Sequence, residues 1–283
     1  MDEFSNPLLS IITVCKNSGL TIADTLNSVL YLLHKYKNVE YIIQDGISSD
    51  DTSQIINDRI KGFKNIKIFR EKDNGIYDAM NKAIDKANGK YIYFLNSDDL
   101  LLENFSSDEF MHLLKKEYEI INCPLVFFQR PSNNIKRIWL NTKKQKSIIN
   151  FFLSPYPPHP GFICKAELLK SYLFDEKYGT ASDYHLIQKI MLDNSVSKKY
   201  YSKPIAAMAL GGVSTRLDGM KKASQQIYLI HKELQINGSY FVRYFRNFSQ
   251  YLFAFFFNKK LDFNRTKINN HQYAINVKLV VQK

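Results

Sequence analysis

Short apolar runs alternate with amphipathic stretches along the first hundred residues. Leu8–Val14 is continuous, apolar and rich in β-branched side chains, the pattern of a strand buried on both faces. Across Thr21–Tyr36, Ile22, Leu26, Val29, Leu30 and Leu33 recur at helical spacing. Glu40–Gln44 predicts a second strand ending at Asp45-Gly46, and Thr52 offers a cap for a helix running to Ile60. Ile66–Phe69 predicts a third strand. Ile76–Ala87 predicts a helix stopped by Asn88-Gly89, and Tyr91–Leu95 a fourth strand ending at Asn96–Asp99. Strands alternating with helices in this way predict βαβ units and a mixed, mainly parallel sheet flanked by helices. In such α/β sheets ligands bind beyond the carboxyl ends of the strands. The polar segments Lys16-Asn17, Asp45-Gly46, Glu71–Asn74 and Asn96–Asp99 all fall there.

The second half is less periodic. Strand-like runs lie at Leu125–Gln129 and Ile135–Leu140, and Ser154–Gly161 is a proline-rich loop. Ser182–Leu192 predicts a helix with Ser182 as its cap. Gly211-Gly212 punctuates the chain before a basic helical stretch at Lys221–Leu234. From Ser239 the composition shifts, with 12 aromatic side chains in 45 residues. Phe241, Tyr244, Phe245, Phe248, Leu252 and Phe255 there form one aromatic stripe, the mark of an amphipathic helix. Two roles fit this stripe: packing on the protein or a second subunit, and lying in a membrane interface. Tyr273–Gln282 alternates like a strand. We therefore divide the chain into a domain at 1–238 and an extension at 239–283, the domain having halves at about 1–105 and 106–238.

Charge sharpens this division. The 283 residues carry a formal charge of +12. Residues 1–105 hold 12 basic and 15 acidic side chains, whereas 106–283 hold 27 basic and 12 acidic. Between 120 and 166 there are seven basic residues (Arg130, Lys136, Arg137, Lys143, Lys144, Lys146 and Lys165) and no acidic one. A basic excess points to an anionic partner. A nucleic-acid coat fits poorly, because the excess avoids the first third and no nucleic-acid motif appears. The three cysteines, Cys15, Cys123 and Cys164, form no CxxC pair, which points to a reducing, cytosolic compartment. The acidic start precedes its apolar run, the reverse of a secretory leader, and no run reaches the ~20 residues of a membrane span. Neither GxxxxGK[ST] nor GxGxxG occurs.

The sharpest chemical feature is Asp98-Asp99 at a strand end. Such carboxylates hold Mg2+ or Mn2+ against a diphosphate, or else build a turn or helix cap. Asp45-Gly46 with Ser48 and Asp50 reads, by itself, as turn chemistry and a cap for the next helix. Taken together, TVCKN (13–17), QDGISSDDT (44–52), EKDNGIYDAMNKAI (71–84) and YFLNSDD (93–99) resemble the nucleotide-sugar half of a family 2 glycosyltransferase with the GT-A fold, of the bacterial polysaccharide and O-antigen type. PPHPGFICKAELL (157–169), FDEKYGTASDYHL (174–186) and GGVST (211–215) resemble its acceptor half.

The resemblance implies roles residue by residue. Asp45 accepts a hydrogen bond from the base, usually uracil, while Thr13 and Lys16 lie against the nucleoside and Asp73 lines the nucleotide pocket. Asp78 and Asn81 either order that loop or touch the donor. The family's DxD element departs from its usual form, with Asn96 in its first position. The carboxylate for Mn2+ or Mg2+ is then Asp98, the Asn96 amide hydrogen-bonds ribose or a metal-bound water, and Asp99 supports Asp98 on the sugar-pocket side. Asp183 matches the base of an inverting transfer, His159 a sugar-pocket position, and Gly211 a loop beside the acceptor. The implied partners are a UDP-linked sugar donor and a saccharide acceptor on polyprenyl pyrophosphate. The implied setting is the cytoplasmic face of the inner membrane, with a homodimer compatible. Asn96 also motivates a competing reading, a catalytically weak scaffold of the same fold.

Overall fold

The computed structural model describes residues 6–103, 105–130, 132, 134–139, 157–211 and 217–236. The chain starts with β1 (Leu9–Cys15), α1 (Ile22–Lys35), β2 (Val39–Asp45), α2 (Thr52–Arg59), β3 (Ile66–Arg70), α3 (Ile76–Lys86) and β4 (Tyr91–Phe94). It continues through β5 (Leu100–Leu101), α4 (Ser107–Leu114), β6 (Ile120–Asn122), β7 (Leu125–Gln129) and β8 (Asn134–Trp139). Then come a 3-10 turn at His159–Gly161, β9 (Phe162–Lys165), α5 (Ala166–Tyr172) and a second 3-10 turn at Glu176–Ala181. Last are α6 (Ser182–Leu192), β10 (Lys198–Tyr200), β11 (Ala206–Ala209) and α7 (Leu217–Glu233).

Seven strands form the main sheet in the order β10-β6-β9-β4-β1-β2-β3. β1 runs parallel to both β2 and β4, with Cys15 opposite Asp45, and β2 runs parallel to β3. β9 is the exception, antiparallel to both β4 and β6. The sheet is therefore mixed as well as mainly parallel. A four-stranded sheet, β5-β11-β7-β8, flanks it.

Every residue of β1 and β2 is buried. Alternate residues serve two cores, as a strand covered on both faces requires. Ile11, Tyr41, Ile43 and Tyr93 pack with α1 residues such as Leu26 and Val29. Ile12, Ile42, Ile92 and Phe94 pack with Ala79, Met80 and Ala83 of α3 and with Leu186 and Ile190 of α6. The two cysteines of the central strands, Cys15 and Cys164, are free and buried, as is Cys123.

Two expected caps are corrected. Asp51, not Thr52, occupies the N-cap of α2, because the Thr52 hydroxyl is drawn aside to donate to Asp50 Oδ1 at 2.5 Å and accept from the Ser18 amide at 2.7 Å. Ala181, not Ser182, precedes α6, and the Ser182 hydroxyl donates to the carbonyls of Asp175 and Gly179. Gly212, Lys143, Lys144, Lys146, the extension at 239–283 and the alternating run Tyr273–Gln282 lie outside the described residues.

Candidate functional site

The carboxyl ends of β1, β2, β3 and β4 open into the polar loops marked in the sequence. The first two loops are stitched to each other. The amide of Asn17 donates to Ser48 Oγ at 2.9 Å, and Asn17 Oδ1 accepts from the Ser49 amide at 2.8 Å. The Gly19 amide donates to Asp50 Oδ2 at 2.9 Å. Asn17 (φ 52°) and Ile47 (φ 59°) both sit in the left-handed region. Asn tolerates that conformation, but for β-branched Ile47 it is strained, a cost that clusters at functional sites. Ile47 keeps half its surface exposed.

Asp45 is almost fully buried, and both its oxygens are in use. Oδ1 accepts from the amide of Ser48 at 2.9 Å and its hydroxyl at 2.5 Å. Oδ2 accepts from Ser53 Oγ at 2.8 Å and pairs with Arg70 Nε at 3.5 Å. Thr13 also lies inside: its hydroxyl donates to the Leu95 carbonyl at 2.6 Å and accepts from Tyr41 Oη at 2.8 Å. Lys16 and Asp73 converge on Gly46. A Cβ there would stand 2.0 Å from Asp73 Oδ2 and 3.3 Å from Lys16 Cδ. Asp73 Oδ1 in turn accepts from the Gly75 amide at 3.1 Å, where φ is 139° and only glycine fits without strain. Asp78 orders this loop, accepting from the Asn74 amide and from Lys82 Nζ, both at 2.8 Å.

Beyond β4, Asn96 Nδ2 donates to Asp99 Oδ2 at 2.9 Å, and Asp99 Oδ1 accepts from the Ala209 amide at 2.9 Å. Asp99 thus ties this loop to β11 and the exposed turn at Gly211, where φ is 106°. Burial and the neighbouring Asp98 charge hold the Asp99 carboxyl well above the usual carboxylate range, against its two hydrogen bonds and Arg130. Asp98 is raised by burial, against a hydrogen bond from its own backbone amide and the charge of Arg130. Arg130 anchors the loop from β7: Nη1 pairs with Asp24 Oδ2 at 2.5 Å and Nη2 donates to the Asp98 carbonyl at 3.2 Å. Among the described residues no three His, Cys, Asp or Glu side chains gather into a metal cage. The hard oxygens of Asp98 suit Mg2+ or Mn2+ that takes its other ligands from phosphate and water.

The residues that the resemblance assigns to the acceptor side form a second cluster, joined to the first through Phe94, two residues before Asn96. The His159 ring lies 5.3 Å from Phe94 and 5.6 Å from Phe174, and Tyr77 lies 5.3 Å from Phe174. Asp183, in the first turn of α6, accepts from the Tyr184 amide at 2.7 Å. Its charge reaches both rings. Burial lowers the His159 imidazole, and Asp183 pulls it back up. Burial and then Asp183 push the Tyr77 phenol well above its ordinary value. Asn81 clips this cluster to α3: Nδ2 donates to the Phe174 carbonyl at 2.9 Å, and Oδ1 accepts from the Phe174 amide at 2.8 Å. Gly161 permits the approach of β9 to β6, since a Cβ there would stand 2.4 Å from the Cys123 carbonyl.

The structure therefore gathers Lys16, Asp45 and Asp73 at one end, Asn96, Asp98 and Asp99 in the middle, and His159 and Asp183 at the other. Sequence reasoning missed Tyr77, Arg130 and Ile47 as members of this site. Tyr77 sits inside a quoted motif, and helical spacing from Asn81 was the available signal. Arg130 counted only as charge, and nothing in the sequence marks the backbone of Ile47.

Comparisons with known proteins bear on the family and the fold. The sequence profile of Glycosyl transferase family 2 matches residues 10–174. The Escherichia coli protein WfaP, a UDP-Glc:alpha-D-GlcNAc-diphosphoundecaprenol beta-1,3-glucosyltransferase, is 40% identical over 110 residues, 39% of this chain and 42% of that protein. Thus the match spans less than half of that relative. S. aureus TarS in complex with UDP-GlcNAc superposes with a TM-score of 0.64 at 19% identity, covering 93% of this chain and 77% of that one. A mannosyltransferase from Pyrobaculum calidifontis in complex with GDP-Man and Mn2+ superposes with a TM-score of 0.59 at 15% identity, covering 84% and 66%. These likenesses establish the fold.

Proposed function

The chain belongs to glycosyl transferase family 2, and from that premise we propose that it transfers a sugar, with inversion, from a UDP-linked donor to a saccharide carried on a lipid pyrophosphate, in the building of a bacterial surface polysaccharide. One observation supports the reading: Phe94, two residues before Asn96, packs on the His159 ring, which feels the charge of Asp183, so the loop proposed for the donor and the carboxylate proposed as the base lie beside one another. The relatives named above support the donor and acceptor classes by likeness.

In this mechanism Lys16, Asp45 and Asp73 shape the nucleoside end. Asp45 acts through the Ser48 turn that it builds. Bound at Asp98, Mn2+ or Mg2+ supplies charge neutralisation for the departing diphosphate. Asn96 holds Asp99, and Asp99 holds β11, so the loop keeps its shape without the usual first aspartate. Asp183 takes the proton from the attacking acceptor hydroxyl. His159, kept neutral at pH 7 by burial, lines the sugar side without adding charge beside the reacting carbon. Inversion of an α-linked donor gives a β linkage.

The acidic first third then handles the donor, and the basic remainder faces a pyrophosphate lipid and an anionic membrane. Among the described residues no helix is long and apolar enough to cross a membrane. We assign membrane association to the 239–283 extension of a 1–238 catalytic domain, at the cytoplasmic face. Nucleotide sugars screened with Mn2+ or Mg2+, scored by released nucleoside diphosphate and by transfer to lipid-pyrophosphate sugars, test the whole reading. Asp183→Asn lowers transfer by about 10²–10⁴-fold if Asp183 is the base. Near-normal transfer by that variant removes the assignment, and no turnover with any donor favours the scaffold reading that Asn96 motivates.

A further inference from the structure

The segment that carries Asp183, from Phe174 onward, belongs to no strand. α3 holds it from one side through Asn81 and Tyr77. α7 covers it from the other, and α7 lies outside every motif the proposed function uses. Glu233 Oε1 stands 3.2 Å from His185 Nε2, while Oε2 accepts from the Tyr178 phenol and pairs with Lys177 Nζ at 3.1 Å. His231 Nε2 stands 2.8 Å from Tyr184 Oη. Ile230 is fully buried against Tyr178 and Ala181.

These contacts bracket Asp183 closely. Tyr184 and His185 are the next two residues along the chain. The Tyr184 main-chain amide holds Asp183 Oδ1 at 2.7 Å, so a shift of the backbone at Tyr184, which its side-chain contact with α7 resists, moves the partner of the carboxylate. The His185 ring is neutral: burial lowers it against the pull of Glu233. Its buried Nδ1 has no partner, as suits a ring whose Nε2–H donates to Glu233, since a charged ring would bury an unpaired donor. Glu233 stays ionised, held down to about 2 by the Tyr178 hydrogen bond and by Lys177. The grip is thus a fixed hydrogen-bond set, with no proton exchanged near neutral pH.

We infer that Glu233 and His231 are positioning residues for the transfer step: α7 aims Asp183, through Tyr184 and His185, at an acceptor hydroxyl. The inference rests on Asp183 being the base, as proposed above. Positional error at the base penalises a bound acceptor hydroxyl, whose place is fixed, more than it penalises hydrolysis, in which a small water reorients to give its proton to the same carboxylate. The ratio of transfer to donor hydrolysis is therefore the quantity α7 controls.

The test uses the full-length chain with Glu233→Ala and Tyr184→Phe, the latter removing one hydroxyl only. The transfer rate should fall by about tenfold in each. Donor KM and the hydrolysis rate should stay within about twofold, so that the ratio falls. An unchanged ratio in folded protein overturns the inference. If Glu233→Ala does not fold, Tyr184→Phe decides alone. Asp183→Asn is the control that separates the two proposals. If it retains transfer, the base assignment fails and takes this inference with it. If it is inactive while Glu233→Ala and Tyr184→Phe keep the wild-type ratio, only the role of α7 fails.

Discussion

Asn81→Ala separates the two roles that the sequence left open for this residue. In the structure both ends of its amide are spent on one backbone unit, with Phe174 O at 2.9 Å and Phe174 N at 2.8 Å. Phe174 itself is 3% exposed, so water does not readily replace the lost partners. Leaving a buried backbone donor or acceptor unmade costs about 1–3 kcal/mol each. Two such groups, on a partly buried clip, give a loss of about 2–4 kcal/mol. That is a large fraction of the ~5–15 kcal/mol that keeps a domain folded. Urea unfolding of the variant and the parent, followed by circular dichroism at equal slope, measures the loss. Titration calorimetry with UDP on the same samples should give affinities within about twofold of each other, because the clip joins α3 to the Phe174 segment, away from the loops after β1 and β2. A stability change below about 0.5 kcal/mol, together with a clear loss of UDP affinity, would refute the clip and move Asn81 to the donor.

Gly46→Ala places a Cβ 2.0 Å from Asp73 Oδ2; the carboxylate must swing away, and crowding of this kind costs about 1–3 kcal/mol. UDP affinity should fall while transfer per bound donor stays level, as donor KM and kcat would report. Asp99 bears on pH dependence. Its folded carboxyl is raised above the ordinary value of 3.8, so the folded state binds the proton more tightly and stability falls as pH rises through that window. Asp99→Asn should flatten the fall, as urea midpoints at pH 5 and pH 8 would show; an unchanged slope assigns it to other groups. Asp98→Asn removes the single carboxylate offered to Mn2+ or Mg2+, and should raise the metal concentration for half-maximal turnover by at least about tenfold.

How much of this was legible in the sequence follows from which signals are local. β1 to β4 and α1 to α3 appear within a residue or two of their predicted bounds, because each has its own periodicity and an Asp-Gly, Asn-Gly or polar stop. β6, β9 and β10 carry three or four residues each. Nothing in Phe162–Lys165 announces that it will pair with both β4 and β6, since its partners lie more than 35 residues away. The same holds at the site. The Asp45 turn and the Asn96–Asp99 loop are local and could be marked. The meeting of Tyr77, His159 and Asp183 is set by packing across about 100 residues. Only the resemblance, not spacing, put His159 and Asp183 in one site. Thr13 shows the converse: its position matched a motif, but its hydroxyl is consumed by Tyr41 and Leu95.

The place of β9 has a consequence for how the chain reaches this state. β4 takes one neighbour, β1, from within the first hundred residues, but its other neighbour lies some 70 residues further on. Until Phe162–Lys165 arrives, the growing chain presents Tyr91, Ile92 and Tyr93 along an open, apolar strand edge, the kind that recruits other chains. A fragment ending near residue 105 keeps the Asp45, Asp73 and Asn96–Asp99 loops but never closes that edge. Such a fragment should precipitate on its own, and adding residues 106–170 to it should restore solubility before any catalytic residue beyond them is present.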